Sequence, residues 1–132
     1  MKKILYTLFF ALVTLCSCQK NEFSSNDIIG EWKATKIEAT FSNGNVLTIT
    51  DSEDIADELE GLEWINVTEQ NIRPMSYGGY ELLIPYEIND NYIVFSGAES
   101  DATYKLESVS SNEMVIKYTS NWTSLIFYKR VK

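Results

Sequence analysis

The chain has 132 residues and a formal net charge of −8, with 19 acidic residues, 11 basic residues, two cysteines and no histidine. So acidic a chain is a poor partner for nucleic acid or an anionic lipid surface, because both are bound through cationic patches. The lack of histidine removes the commonest general base and zinc ligand. We therefore expect no enzymatic activity, no catalytic residue, no metal site and no cofactor.

The first 17 residues have the pattern of an export signal. Lys2 and Lys3 precede an apolar run over residues 4–15, which is too short to cross a membrane as a helix. The run ends in Leu15-Cys16-Ser17-Cys18, which resembles the lipobox of bacterial lipoproteins, in which the final cysteine becomes the first mature residue and carries lipid. By this resemblance, residues 1–17 are a signal peptide and Cys18 is the lipid anchor.

Residues 18–27 are predicted to be the lipidated cysteine and its tether, because Phe23 is the one large apolar residue among residues 19–27. Gln19 stands where some bacteria place an aspartate that retains a lipoprotein in the inner membrane. The resemblance therefore implies the outer membrane, on the side of the periplasm or of the cell surface. Without residues 1–17, the chain contains 9 basic and 19 acidic residues, which gives a formal charge of −10.

The remaining residues, 28–132, are enough for one domain with one core. Apolar and polar residues alternate along most of this stretch, with turn residues about every ten positions, which favours an all-β antiparallel fold. Successive hairpins predict an up-and-down β-barrel of about eight strands. A two-sheet β-sandwich is the alternative, because counting strands does not establish closure.

Three strands after residue 79 have a clear inward face. A turn at Asn89-Asp90-Asn91, whose residues tolerate positive φ, separates the first of them from a return strand over residues 92–96. The predicted inward sets are Tyr80, Leu82, Ile84, Tyr86 and Ile88; Ala102, Tyr104, Leu106 and Ser108; and Met114, Ile116 and Tyr118.

The first strand interrupts its own alternation. Trp32 and Ala34 share one parity, whereas Ile37, Ala39 and Phe41 have the other. A β-bulge near Thr35 or Lys36 would turn all five inward and bend the strand, as a small barrel requires. The alternative is a strand whose two halves are buried on different sides.

One short acidic helix is predicted after residue 50. Thr50-Asp51-Ser52-Glu53 fits a capping box, and Ile55, Leu59 and Leu62 then recur at helical spacing. We expect this helix to lie across an open end of the barrel. Seven acidic residues between positions 51 and 63 also suggest calcium, but the loop pattern of a calcium site is absent.

Gly30-Glu31-Trp32 resembles the Gly-x-Trp signature in the first strand of lipocalins. The spacing from lipobox to triplet and the ending at residues 126–131 are similar to small lipocalin-like lipoproteins of Gram-negative bacteria. In lipocalins a basic residue near the last strand covers the tryptophan, and Arg130 or Lys129 is the candidate here. The resemblance thus implies that Gly30, Trp32 and Arg130 close the barrel.

An eight-stranded barrel either is filled by side chains or holds one small molecule. Inward Tyr80, Tyr86, Tyr104 and Tyr118 would give an apolar cavity a few polar groups, so they are the candidate ligand-binding residues. The resemblance implies a small apolar or amphipathic ligand. Alternatively, these rings pack a filled core, and the outer face or the acidic helix docks another envelope protein without catalysis.

Overall fold

The computed structural model describes residues 22–76, 82–96 and 102–131. The predicted signal peptide, Cys18 and Tyr80 lie outside these residues. The described part contains helices α1 (Ser25–Ile28) and α2 (Ser52–Leu59). Its strands are β1 (Gly30–Thr40), β2 (Val46–Ile49), β3 (Trp64–Val67), β4 (Asn71–Pro74), β5 (Ile84–Asn89), β6 (Tyr92–Phe95), β7 (Thr103–Val109), β8 (Glu113–Thr119) and β9 (Thr123–Arg130).

The strands form a closed antiparallel barrel. From β3 to β9 each strand pairs with the next along the chain, while β1 pairs with β3 along one edge and with β9 along the other. Eight strands therefore make a ring, and β2 lies beside the second half of β1 as an extra strand. The predicted barrel is confirmed. The sandwich alternative is set aside, because the pairing of β1 with β9 joins the two ends of the sheet.

Thr35 is the bulged residue of β1. Ala34 pairs with Tyr128 and Lys36 pairs with Phe127, so Thr35 has no residue opposite it. The bulge changes the parity of the strand, and residues on both sides of it are buried, namely Trp32, Ala34, Ile37 and Ala39. The predicted bulge is confirmed. Phe41, however, lies beyond the end of β1 and is 39% exposed, so its predicted inward position is wrong.

Two other predicted inward positions are also wrong. The pairing of β7 with β8 shifts between Leu106 and Ser108, so Ser108 is exposed while Val109 packs against the core. Leu82 precedes β5 and is exposed. The turn at residues 89–91 is as predicted, because Asp90 and Asn91 have φ of 50° and 68°.

The packed part of the chain begins before the expected boundary at residue 28. Ile28 is fully buried at the end of α1. Phe23 packs against the core, and its backbone N–H donates to Asn91 Oδ1 at 2.8 Å. Phe23, which lies within the predicted tether, therefore packs against the barrel.

Helix α2 lies where it was predicted, but its cap is one residue later. Asp51, rather than Thr50, is the N-cap, and its carboxylate accepts from the backbone N–H groups of Glu53 and Asp54. Ile55 is buried, and Leu59 and Leu62 pack against the core. The predicted apolar face therefore holds the helix against the barrel.

Candidate functional site

One end of the barrel is closed around Trp32. The side chain is completely buried, and its indole Nε1–H donates to the carbonyl oxygen of Ile28 at 2.9 Å. Gly30, two residues earlier, has φ of 139°, a conformation that residues with a side chain rarely adopt. The chain can thus pass from α1 into β1 while the indole ring reaches the core.

Arg130 covers the same ring. Its guanidinium carbon lies 4.2 Å from the Trp32 ring centroid, which is within cation–π distance. Nη1 donates to the carbonyl of Ile29 at 2.7 Å, and Nε donates to the carbonyl of Ser111 at 2.6 Å. Lys129, the other candidate from the sequence, is exposed. Arg130 therefore joins the last strand, the segment before β1 and the turn between β7 and β8.

Toward the opposite end, the interior is hollow. A cavity of about 290 Å³ lies inside the barrel, between the strands and the last turn of α2. Its wall is mostly aliphatic and aromatic, and it is lined by Ile37, Glu58, Leu59, Glu60, Leu62, Ile65, Ile72, Ile93, Phe95, Tyr104, Ile116, Tyr118, Trp122, Ser124, Ile126 and Tyr128. The barrel is therefore packed at its closed end and contains, toward the other end, a cavity that α2 partly covers.

A row of aromatic rings forms one wall of this cavity. Tyr104 and Tyr118 are paired across β7 and β8, with ring centroids 5.1 Å apart, and Phe95 on β6 meets Tyr104 edge-on at 5.3 Å. Burial raises the pKa of Tyr104, and the neighbouring Tyr118 raises it further. Tyr104 therefore stays protonated and presents a neutral hydroxyl group in a poorly solvated space.

Tyr128 sits deeper in the wall. Its hydroxyl donates to the carbonyl of Leu62 at 2.9 Å, which ties β9 to the segment that follows α2. Burial is the main reason that its pKa lies far above the usual value for tyrosine. Ser124, on the same strand, is the buried polar residue of the lining.

A second, more open cavity of about 690 Å³ adjoins the first. It lies where β6 and β7 are paired only at Tyr92 and Lys105 among the described residues. The two cavities share four lining residues, Leu62, Ile93, Phe95 and Tyr104. Loosely joined strands at this point place the interior cavity close to the outer surface of the barrel.

The predicted ligand-binding tyrosines do not all line the interior cavity. Tyr104 and Tyr118 line the interior cavity. Tyr86 does not line it, because its buried ring directs the hydroxyl to the carbonyl of Thr68 at 2.7 Å. Burial and the charge of Glu69 both raise the Tyr86 pKa. Tyr86 is thus part of the packed interior, and Tyr80 lies outside the described residues.

Among the lining residues that sequence reasoning missed are Trp122, Tyr128 and two glutamates of the α2 region. Tyr128 shares its parity on β9 with Arg130, so the predicted contact of Arg130 with Trp32 was a signal that Tyr128 points inward. Trp122 lies in the turn between β8 and β9, where no periodicity applies. Glu58 and Glu60 belong to the acidic run between positions 51 and 63, and only the position of α2 reveals that they line the cavity.

The described residues contain no group of three or more Asp, Glu, His or Cys side chains placed to hold a metal ion. None of the helices in that part of the chain is both long and apolar enough to span a bilayer. Fold and site together define an eight-stranded antiparallel barrel, closed at one end and containing a cavity. Comparison with protein-family models, curated proteins and solved structures gave no match.

Proposed function

We propose that this protein is a lipocalin-like binding protein that holds a small apolar or amphipathic molecule inside its barrel. The observation that carries the proposal is the cavity of about 290 Å³, close to the lower bound of roughly 300 Å³ for small-molecule pockets. Thirteen of its sixteen lining residues are aliphatic or aromatic, and hydroxyl groups from Tyr104, Tyr118 and Ser124 can orient a ligand. Such a lining fits binding rather than catalysis.

The lipobox-like sequence supports a lipid anchor at Cys18 in the outer membrane as part of the same proposal. Phe23, five residues after Cys18, packs next to the β5–β6 turn through its bond to Asn91. The cavity lies toward the opposite end, beside α2 and Trp122. An anchor at Cys18 would therefore leave the mouth of the cavity facing away from the membrane surface.

Native mass spectrometry of the protein purified from its own host tests the proposal. We expect a stoichiometric small-molecule adduct that is released on unfolding. Ser124→Leu adds an apolar side chain to the cavity and should abolish the adduct. Ser108→Leu makes the same substitution at an exposed strand position and should retain it. A bare mass for the unmodified protein, or an adduct that survives Ser124→Leu, would contradict the proposal.

A second candidate function is docking of another envelope protein, without catalysis. Exposed apolar residues beside the β1–β2 turn favour it: Phe41, Val46 and Leu47 lie 39–62% exposed near Trp122, whose neighbour Thr123 pairs with Thr40. If the host-purified protein carries no small molecule, Val46→Ser and Leu47→Ser should weaken co-purification of an envelope protein. Unchanged co-purification would argue against this surface.

A further inference from the structure

The rim of the interior cavity is acidic. Glu58 and Glu60 line it, and no lysine or arginine is found among its described lining residues. Residues 77–81 and 97–101, outside the described part, contain no lysine or arginine in the sequence. A ligand with a carboxylate head would therefore lose its hydration without gaining a cationic partner, which is unfavourable.

The fold holds the Glu58 carboxylate in this place. Ile55, Leu59 and Leu62 form the face of the α2 region that packs on the barrel, and Glu58 lies at the edge of that face, one turn after Ile55. Helix α2 ends at Glu60, whose left-handed conformation and N–H bond to the Ala56 carbonyl form the C-cap. The negative end of the helix dipole therefore lies at the same rim as the two carboxylates.

The aromatic residues of the cavity wall also favour a ligand with a positive charge. The faces of aromatic rings carry negative electrostatic potential and attract cations. Phe95, Tyr104 and Tyr118 form a continuous aromatic row along one wall, and Trp122, in the turn between β8 and β9, lines the same cavity as Glu58 and Glu60. The carboxylates, the helix terminus and the Trp122 ring thus favour a positive charge at the mouth, and the aromatic row suits an apolar body next to that charge.

We propose that the cavity selects small amphipathic cations, with a protonated amine or quaternary ammonium head between Glu58, Glu60 and Trp122 and an apolar body against Tyr104 and Tyr118. This inference rests on the proposed binding function and names the ligand class. Because a water molecule occupies about 30 Å³ in the liquid, a cavity of about 290 Å³ holds on the order of ten non-hydrogen atoms. A phenylalkyl amine has this size.

Three probes of nearly equal size separate charge from apolar contact: 3-phenylpropylamine, 3-phenyl-1-propanol and 3-phenylpropanoate. The host-purified protein is first unfolded and refolded to release any co-purified molecule and is then placed in phosphatidylcholine nanodiscs. Each probe is titrated into it calorimetrically, with empty nanodiscs titrated in parallel. We expect the amine to bind about tenfold more tightly than the carboxylate, with the alcohol between them. Added salt should reduce the difference, because both carboxylates are exposed.

Glu58→Gln should weaken binding of the amine severalfold and leave the alcohol unchanged. Glu53→Gln is the matched control, because it removes the same charge from the first turn of α2, away from the cavity. An equal loss in both variants would reflect the overall negative charge and would overturn the assigned site. If Glu58→Gln does not fold, the ranking of the three probes on the unmodified protein still decides the inference.

The two proposals fail in different ways. Binding of the alcohol without preference for the amine over the carboxylate would overturn the cation inference and leave the binding function standing. Failure of all three probes, together with a bare mass for the host-purified protein, would overturn the binding function and the cation inference with it.

Discussion

The guanidinium of Arg130 lies 4.2 Å from the ring centroid of Trp32, and the same two residues are paired between β9 and β1. The contact therefore joins the last strand of the ring to the first at the closed end. Trp32 also donates to Ile28, and Arg130 donates to Ile29, so both side chains fasten the segment that enters the barrel. One pair of residues therefore takes part both in closing the sheet and in anchoring this segment.

Trp32→Ala should lower the free energy of unfolding by about 3–5 kcal/mol, because it leaves a large void in a fully buried site and removes the bond to Ile28. Urea unfolding followed by far-ultraviolet circular dichroism measures the loss. Trp122→Ala is the control, since this ring is 38% exposed, and its effect should be under about 1 kcal/mol. A loss as small as this for Trp32→Ala would show that the ring does not close the barrel.

Arg130→Lys should lower the free energy of unfolding by about 1–3 kcal/mol, although the charge is kept. An ammonium group cannot reproduce the two directed bonds to Ile29 and Ser111 while lying over the indole ring. Lys129→Arg, the reverse exchange at an exposed neighbour, is the control and should change little. Equal stability of wild type and Arg130→Lys would show that the contact of Arg130 with Trp32 does not stabilise the closed end.

A double-mutant cycle isolates the contact between the two side chains. Trp32→Phe and Arg130→Lys, singly and together, should show a coupling energy of about 0.5–2 kcal/mol. Additive losses would mean that the two residues stabilise the closed end independently.

Alkaline pH should destabilise the protein through its buried tyrosines. Tyr86, Tyr104 and Tyr128 all have a pKa above the ordinary value of 10.0, chiefly because burial disfavours the phenolate. A raised folded pKa means that the native state keeps protons which the unfolded chain releases, so this stability is complete below pH 10 and decreases as the pH rises further. Absorbance at 295 nm should show these three tyrosines ionising at higher pH in the folded protein than in the unfolded chain.

Tyr128→Phe should make the loss of stability above pH 10 shallower, because it removes the group with the largest upward shift. At neutral pH the same variant should lose about 1 kcal/mol, since its hydroxyl donates to Leu62. Tyr92→Phe, at an exposed ring, is the control for loss of a hydroxyl group and should keep the wild-type stability at neutral pH. An unchanged alkaline transition for Tyr128→Phe would show that groups other than Tyr128 cause the loss of stability at high pH.

Asp51→Ala should destabilise the protein by about 0.5–2 kcal/mol, because two N–H groups at the start of α2 lose their acceptor. Thr50→Ala should have little effect, since Thr50 is exposed and outside the helix cap. Thermal unfolding of the two variants decides between them. A larger loss of stability for Thr50→Ala than for Asp51→Ala would show that Thr50 caps the helix, as the sequence predicted.

Local patterns predicted most of the fold correctly. Alternation of apolar residues requires only that each strand has one buried face, and a change of parity in β1 predicted a bulge near Thr35 or Lys36 without knowledge of its partner. The Asn-Asp-Asn turn and the apolar stripe of α2 are likewise properties of a few neighbouring residues. For the same reason, patterns failed at Ser108 and Phe41, where a second bulge and the end of a strand interrupt the alternation.

The candidate site was only partly predictable, because it joins residues that are distant in the sequence. Parity alone placed Tyr104 and Tyr118 on an inward face, but it placed Tyr86 there equally. Which inward side chains fill space and which border a cavity depends on how eight strands and α2 pack. The sequence by itself determined alternation, acidity and the place of the bulge. Tertiary structure decided closure, the cavity and the acidic rim, because each requires contacts between segments that local pattern does not bring together.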